Sequence, residues 1–207
     1  DNLNNYYDIE LKKSRLKILN RSSNFAFFKL DISDKKKIDN NLKKYHYDII
    51  IHMAAQAGVR FSISNPEEYT KSNLIGFSNI IEASRDIGVR HFIFASSSSV
   101  YGNSNQCPFS EDDLCNQPES FYAATKICNE NIAFAYSNIY KLPCTGLRLF
   151  TVYGPYGRPD MAIFQFSDAI INNKLVKLFN NGNHERDFTY IDDTVGAITK
   201  LISKFPS

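Results

Sequence analysis

The 207-residue sequence is notable first for what it lacks. No apolar run approaches the roughly 18 to 20 residues that cross a bilayer, so no membrane insertion is expected. The opening Asp1-Asn2-Leu3-Asn4-Asn5 is a polar turn, not the charged-then-apolar pattern of a signal peptide. Net charge is almost absent: 24 Lys plus Arg stand against 22 Asp plus Glu. Such a chain offers no global field to nucleic acid or an anionic surface, and no nucleic-acid partner is expected. The four cysteines, Cys107, Cys115, Cys128 and Cys144, form no CxxC pair and have no histidine at ligand spacing. They read as reduced thiols of a cytoplasmic protein, with no metal site. None of the nine glycines falls in a GxxGxxG pattern; the nearest pair is Gly154 and Gly157. There is no internal repeat, low-complexity tract or flexible linker.

What is present excludes disorder: 16 Phe and 12 Tyr must be buried somewhere. Short apolar runs alternate with helical patterns. Strands are expected at Phe25 to Leu30, Asp48 to His52, His91 to Ala95, Cys144 to Phe150 and Val176 to Phe179. Helices are expected from the lysine-rich stretch ending near Tyr45, from Asn65-Pro66-Glu67-Glu68 to Ile87, from Ser120 to Tyr140, from Ala162 to Asn172 and from Asp192 to Lys204. This alternation predicts an α/β fold with a parallel sheet covered on both faces.

Tyr122-Ala123-Ala124-Thr125-Lys126 is the sharpest chemical signal. Residues four apart share one helix face, so the Tyr122 phenol and the Lys126 ammonium point the same way. A nearby cation favours phenolate and draws a tyrosine down from its ordinary pKa of about 10 toward that of a general base. Ser96 to Ser99 end the strand at Ala95, and Ser97 lies 25 residues before Tyr122. The carboxyl ends of strands are where open α/β sheets bind ligands. A hydroxyl there can bond a substrate alcohol while the phenolate removes its proton.

Ser-Ser-Ser-Ser-Val-Tyr-Gly followed by Tyr-Ala-Ala-Thr-Lys resembles the extended short-chain dehydrogenase/reductase superfamily, and within it the nucleotide-sugar epimerases of the UDP-glucuronate 4-epimerase branch. Supporting segments run in order along the chain: Asp1 to Leu19, His52 to Ser62, Ser72 to Phe77, Gly146 to Met161 and Glu185 to Asp193. The resemblance implies a Rossmann-like, doubly wound parallel sheet in residues 1–160, without its first strand and glycine loop. Residues 161–207 would then be an incomplete substrate-binding region interleaved with the last strand.

It also implies roles. Tyr122 would be the base, Lys126 its electrostatic partner and a ribose ligand, and Ser97 the hydroxyl at the sugar O4. The cofactor would be NAD and the substrate a UDP-sugar, with C4 epimerised through a 4-keto intermediate. Asp1 and Asn2 would meet the adenosine ribose, and a carboxylate there favours NAD over NADP. Asp31 and Ile32 would flank the adenine. Met53, Ala54, Ala55 and Gln56 would line the cofactor, Asn73 would support that loop, and Phe150 and Val152 would complete the cofactor set. Thr151 and Ser98 would face substrate, Arg186 the phosphates, and Arg60 and Arg158 the sugar carboxylate, since guanidinium can bind either group through paired charge-assisted bonds. His46, His91 and His184 are expected at the surface or in loops, and His52 packed at a strand end.

Relatives that dehydrate or decarboxylate sugars carry an acid directly after the catalytic hydroxyl. Here those positions are Ser98 and Ser99, which cannot supply a proton at neutral pH. UDP-glucose is the alternative substrate. The missing strand and glycine loop give a further expectation, that these 207 residues are a piece of a longer protein, binding NAD poorly or misfolding alone. Through the helices holding Tyr122 and Asn79, the longer protein would form a homodimer.

Overall fold

The structure is a computed structural model that describes residues 1–104, 108–176, 178, 180–183 and 185–206. It divides into two compact units. The first comprises Asp1, Leu30–Leu149 and Thr199–Ser207, and the second Asn2–Lys29 and Phe150–Ile198.

The first unit is built on three parallel strands, β1 (Ile49–His52), β2 (His91–Ala95) and β3 (Cys144–Leu147), in the order β1-β2-β3. Ile50 pairs with Phe92, and Phe92 with Cys144. Five helices belong to this unit: α2 (Lys35–Leu42), α3 (Phe61–Ser64), α4 (Pro66–Tyr69), α5 (Phe77–Asp86) and α6 (Phe121–Tyr140). Between α4 and α5 the chain winds as a π-helix over Thr70–Gly76. Two of these helices, α2 and α6, start at a side-chain cap. Asp34 accepts the Lys37 N–H at α2, and Ser120 accepts the Ala123 N–H at α6. The core gathers Ile38, Phe77, Ile80, Ile81, Phe92, Phe94, Ala133 and Leu142. Phe77 packs edge-on against Phe92 at 5.8 Å and Phe94 at 5.3 Å. Full burial of each such ring is worth about 2–3 kcal/mol.

The second unit has α1 (Ile9–Leu19), β4 (Thr151–Tyr153), α7 (Ala162–Ile171), β5 (Phe188–Tyr190) and most of α8 (Ile191–Leu201). β4 and β5 pair in parallel, Thr151 opposite Phe188. Polar bonds fasten α1 and the residues just before it to the stretch after β4. The Arg15 guanidinium donates to the Tyr156 carbonyl at 2.5 Å, and the Tyr6 hydroxyl to Asp160 at 2.9 Å. By packing, residues 2–29 therefore group with residues beyond Phe150.

Several sequence expectations need correction. Phe25 to Leu30 is not a strand. The Leu30 N–H at its end donates to the Asp1 carbonyl. The run from Cys144 to Phe150 splits, because the Leu149 N–H turns back to the Leu147 carbonyl at 2.9 Å and ends β3. Val176 and Leu178 lie outside any strand, while Lys177 and Phe179 are outside the described residues. His91 is fully buried at the start of β2, where its Nε2 meets the Thr145 hydroxyl at 2.8 Å. His184 and Cys107 lie outside the described residues; Cys115, Cys128 and Cys144 are free thiols. Helix α1 and strand β5 had no counterpart in the sequence reading. Among the described residues no helix is long and apolar enough to cross a membrane.

Candidate active site

Strands β1 and β2 are parallel, so the loops leaving them lie side by side at the carboxyl edge of the first unit. Helix α6 returns across this edge with Tyr122 in its first turn and Lys126 in its second. Lys126 is only 3% exposed and donates from Nζ to the carbonyl of Ala95, the last residue of β2, at 2.7 Å. That bond places the ammonium two residues before Ser97. Its nitrogen lies 5.8 Å from the centre of the half-buried Tyr122 ring. Burial lowers the Lys126 pKa to about 8, because the charged form has lost its water. The same environment acts on His52 at the end of β1. Burial first, and then the Lys126 charge, depress its pKa to about 3, so it stays a neutral ring stacked on Phe92 and tilted against Phe77.

After β1, Met53, Ala54 and Ala55 are exposed and Gln56 is buried. Asn73, in the π-wound stretch, holds Gln56 from both sides. Its Oδ1 accepts the Gln56 N–H at 2.8 Å, and its amide donates to the Gln56 carbonyl at 2.9 Å and to the Thr125 hydroxyl at 3.1 Å. Asn129, with its amide oriented to satisfy both neighbours, donates to the carbonyls of Asn73 at 2.8 Å and Thr125 at 3.2 Å. Tyr69 is fully buried; its hydroxyl donates to the Ala57 carbonyl at 3.0 Å, and its ring meets Tyr122 edge-on at 6.1 Å. Groups on α6, the end of α4 and the π-wound stretch thus fix both the loop after β1 and the Tyr122 ring.

After β2, Ser97 is extended and caps a short 3-10 turn, Ser98–Tyr101, through a bond from the Ser99 N–H at 3.2 Å. Ser96 faces the other way and donates its hydroxyl to Glu130. Glu130 also receives Arg148 through two bonds, at 3.1 and 2.9 Å. The turn ends at Gly102 with φ 61°, where any side chain would run into the Gln117 carbonyl.

At the second half of the same edge, Asp31 accepts from the Ser33 N–H and hydroxyl and pairs with Lys71 at 3.4 Å. Ile32 packs on Gly76 so closely that a Cβ there would lie 2.5 Å from its side chain, and its carbonyl accepts from Asn79 at 2.9 Å. Asp1 is exposed and gives its carbonyl to Leu30, and Arg60 is exposed at the start of α3.

The remaining expected residues belong to the second unit. Asn2, Phe150, Thr151 and Val152 are half-buried there, with Thr151 and Val152 in β4. Arg158 pairs with Asp160 at 3.5 Å and also touches the Met161 sulfur. Burial, and then the bond to Asp160, raise the Tyr6 pKa to about 12. Exposed Arg186 donates to the Glu185 carbonyl at 2.7 Å. The sequence reading missed Tyr69, Thr125, Asn129, Glu130 and Arg148. For three of them a signal was available: Thr125, Asn129 and Glu130 put polar groups on the inward side of a helix whose outward side is apolar. Among the described residues no three His, Cys, Asp or Glu side chains gather as metal ligands.

Comparison with known proteins then decides the family: its profile matches residues 4–207. The chain belongs to the NAD dependent epimerase/dehydratase family. Among its members, a probable UDP-glucuronate 4-epimerase of Rhizobium meliloti is 44% identical over 207 residues, which are all of this chain and 61% of the relative. A crystal structure of UDP-glucuronic acid 4-epimerase from Bacillus cereus, in complex with UDP-glucuronic acid and NAD, superposes with a TM-score of 0.91 at 34% identity, covering 99% of this chain and 64% of that one. The UDP-glucose 4-epimerase of Thermotoga maritima with UDP-glucose gives 0.86 at 29%, with the same coverage. The chain thus spans about three fifths of the length of these relatives. Its α/β architecture with parallel strands is the Rossmann-like fold of this epimerase/dehydratase family.

Proposed function

We propose that this chain carries the reacting residues of a UDP-sugar 4-epimerase that interconverts UDP-glucuronate and UDP-galacturonate with NAD in the cytoplasm. The observation that carries the proposal is Lys126: a buried cation pinned to the end of β2, facing Tyr122 one helical turn away. Burying a lone ammonium is expensive, and a fold keeps one there for the work its charge does. The residues around it suit the family cofactor. Met53, Ala54 and Ala55 present short or flexible exposed side chains at a strand's carboxyl end, where a ligand can approach the backbone. Asp31 and Ile32 are held in place beside Gly76 and Asn79 to receive an adenine, with Asp1 and Asn2 at the ribose. Phe150 and Val152 complete the set.

Bound NAD supplies reversible hydride exchange at the sugar C4, so no net oxidation results. In the proposed sequence Tyr122, favoured as phenolate by the Lys126 charge, takes the O4 proton while Ser97 bonds that oxygen. A transient 4-keto sugar forms and turns, and Tyr122 returns the proton as the opposite C4 configuration is set. Ser98 and Thr151 contact the sugar. Arg186 binds the phosphates, and Arg60 and Arg158 meet the carboxylate. The functional division, residues 1–160 for the dinucleotide and 161–207 for substrate, belongs to the same proposal. So does homodimerisation through α5 and α6. The groove formed by Ala124, Ile127, Cys128, Asn131, Ile132 and Ala135 gives α6 an apolar outer surface suited to a second copy.

The glycine pattern that seats a pyrophosphate is not among these residues, so weak NAD affinity of the 207-residue chain is part of the proposal. The test is incubation with UDP-glucuronate and NAD, both alone and preceded by a strand and glycine-rich loop from a relative, with products resolved by chromatography. UDP-galacturonate is expected from the joined form. Conversion of UDP-glucose in its place would favour the second reading, UDP-glucose 4-epimerase, which the likeness to the Thermotoga enzyme supports. Turnover of neither sugar would remove the epimerase proposal.

A further inference from the structure

We infer that Glu130, acting through Ser96 and Arg148, is the positioning residue that sets the Ser97 hydroxyl against the Tyr122–Lys126 pair; the inference rests on the epimerase reading of that site. Tyr122, Lys126 and Glu130 follow at intervals of four on α6, so one stretch of helix surface carries all three. The first two face the end of β2. The third grips the chain that leaves it. In extended backbone, neighbouring side chains point to opposite sides. Ser97 has φ −163° and ψ 149°, so the direction fixed for Ser96 also fixes the direction of Ser97. The Ser96 hydroxyl is fixed, because it donates to Glu130.

Glu130 is itself held. Arg148 donates to it from Nε at 3.1 Å and from Nη2 at 2.9 Å. The guanidinium also donates to the Glu111 carbonyl at 3.1 Å and lies over the Tyr101 ring at 5.0 Å. Tyr101 closes the same short turn that Ser97 opens. The next residue after Arg148 completes the hold, the Leu149 carbonyl accepting the Ser98 N–H at 2.9 Å. Segment 96–101 is therefore clamped before Ser97, directly after it and at its far end, all by groups on α6 or at the exit of β3. A carboxylate is the residue type the position requires, since its two oxygens accept a hydroxyl and a two-pronged guanidinium together. An ion pair serving stability alone would have no need of the Ser96 hydroxyl or of the Tyr101 ring.

Two variants test this. Glu130→Gln keeps the size of the side chain but replaces one acceptor oxygen with a donor, and Ser96→Ala removes one hydroxyl. Each should lower kcat, Glu130→Gln about tenfold and Ser96→Ala less, with KM within about twofold of the parent, as expected when a reacting group is misplaced and binding is not. Amide hydrogen exchange should quicken by about tenfold in residues 96–101 of Glu130→Gln and remain as in the parent across β2 and β3. A lower unfolding midpoint with kcat, KM and exchange at 96–101 all unchanged would reduce the cluster to a stabilising ion pair and overturn the inference. The parent for these kinetics is the form preceded by the strand and glycine-rich loop of a relative; if that form turns over no UDP-sugar, the epimerase reading fails by itself. The exchange experiment then decides alone: unchanged protection of 96–101 in both variants overturns the positioning role, and local loss of protection upholds it.

Discussion

In the unit built on β1–β3 the groups around the end of β2 are buried or half-buried and bonded to one another, Lys126 to Ala95, Asn73 to Gln56 and Thr125, Glu130 to Ser96 and Arg148. In the other unit the corresponding candidates are half-buried or exposed, and its sheet is two strands of three residues. Large apolar side chains remain at the surface of both units, Leu175 and Ile171 in the second and Leu114 and Ile63 in the first. The first unit holds its geometry before any ligand arrives, as proton transfer requires, because a misplaced base loses rate steeply. The second presents cations whose task in the proposed function is to attract and hold, for which exposure is no handicap.

Substitutions can break or sharpen this contrast. The largest effect is expected at Tyr122. Tyr122→Phe keeps the ring that packs on Tyr69 and removes the phenol, so turnover should fall by about a thousandfold while the unfolding midpoint barely moves. Retained turnover would shift the chemistry away from this helix. Next comes Asn73→Ala, which leaves the Gln56 backbone groups without the amide that joins them to α6. About 2 kcal/mol of stability should be lost in urea unfolding, and a neutral result would mean that the network is dispensable.

His52 gives a pH-dependent effect. The folded chain keeps it neutral down to about pH 3, whereas the unfolded chain takes up a proton near 6.5. The unfolded state thus binds more protons across that window, and stability drains as pH falls from about 6.5 toward 3, by roughly 1–2 kcal/mol at pH 5. Unfolding midpoints measured between pH 7 and 5 should fall more steeply for the parent than for His52→Leu. The smallest effect on stability belongs to Arg186→Ala in the second unit, within about 0.5 kcal/mol. In the same variant KM for the UDP-sugar should rise about tenfold, because exposed Arg186 supports binding and not the fold. A marked loss of stability there would erase the contrast between the units.

Most of the first unit could be read along the chain. Ile49 to His52 and His91 to Ala95 are short apolar runs, and they became neighbouring parallel strands. Ser120 marks the start of α6 because its side chain satisfies an otherwise unpaired N–H. The reading failed where an element depends on its partner. Phe25 to Leu30 has a strand's composition, but composition cannot supply a ladder. β4 and β5 are each three residues long and meet only across 34 intervening positions, so no local pattern announces them. His91 has a polar ring, yet Thr145 on the next strand gives it a bond inside the core.

The same division holds for the candidate site. Sequence by itself determined the α/β class, the family and the pairing of Tyr122 with Lys126, since each depends on the period of a helix or strand or on the order of residues along the chain. Tertiary structure decided that Lys126 would be buried at the end of β2, with its pKa lowered to about 8. It also decided that Glu130 would reach Ser96 and Arg148, and that Asn73 would join the loop after β1 to α6. Burial and hydrogen bonding between distant segments are properties of the folded arrangement: a residue's charge, direction and partners depend on what the rest of the chain packs around it.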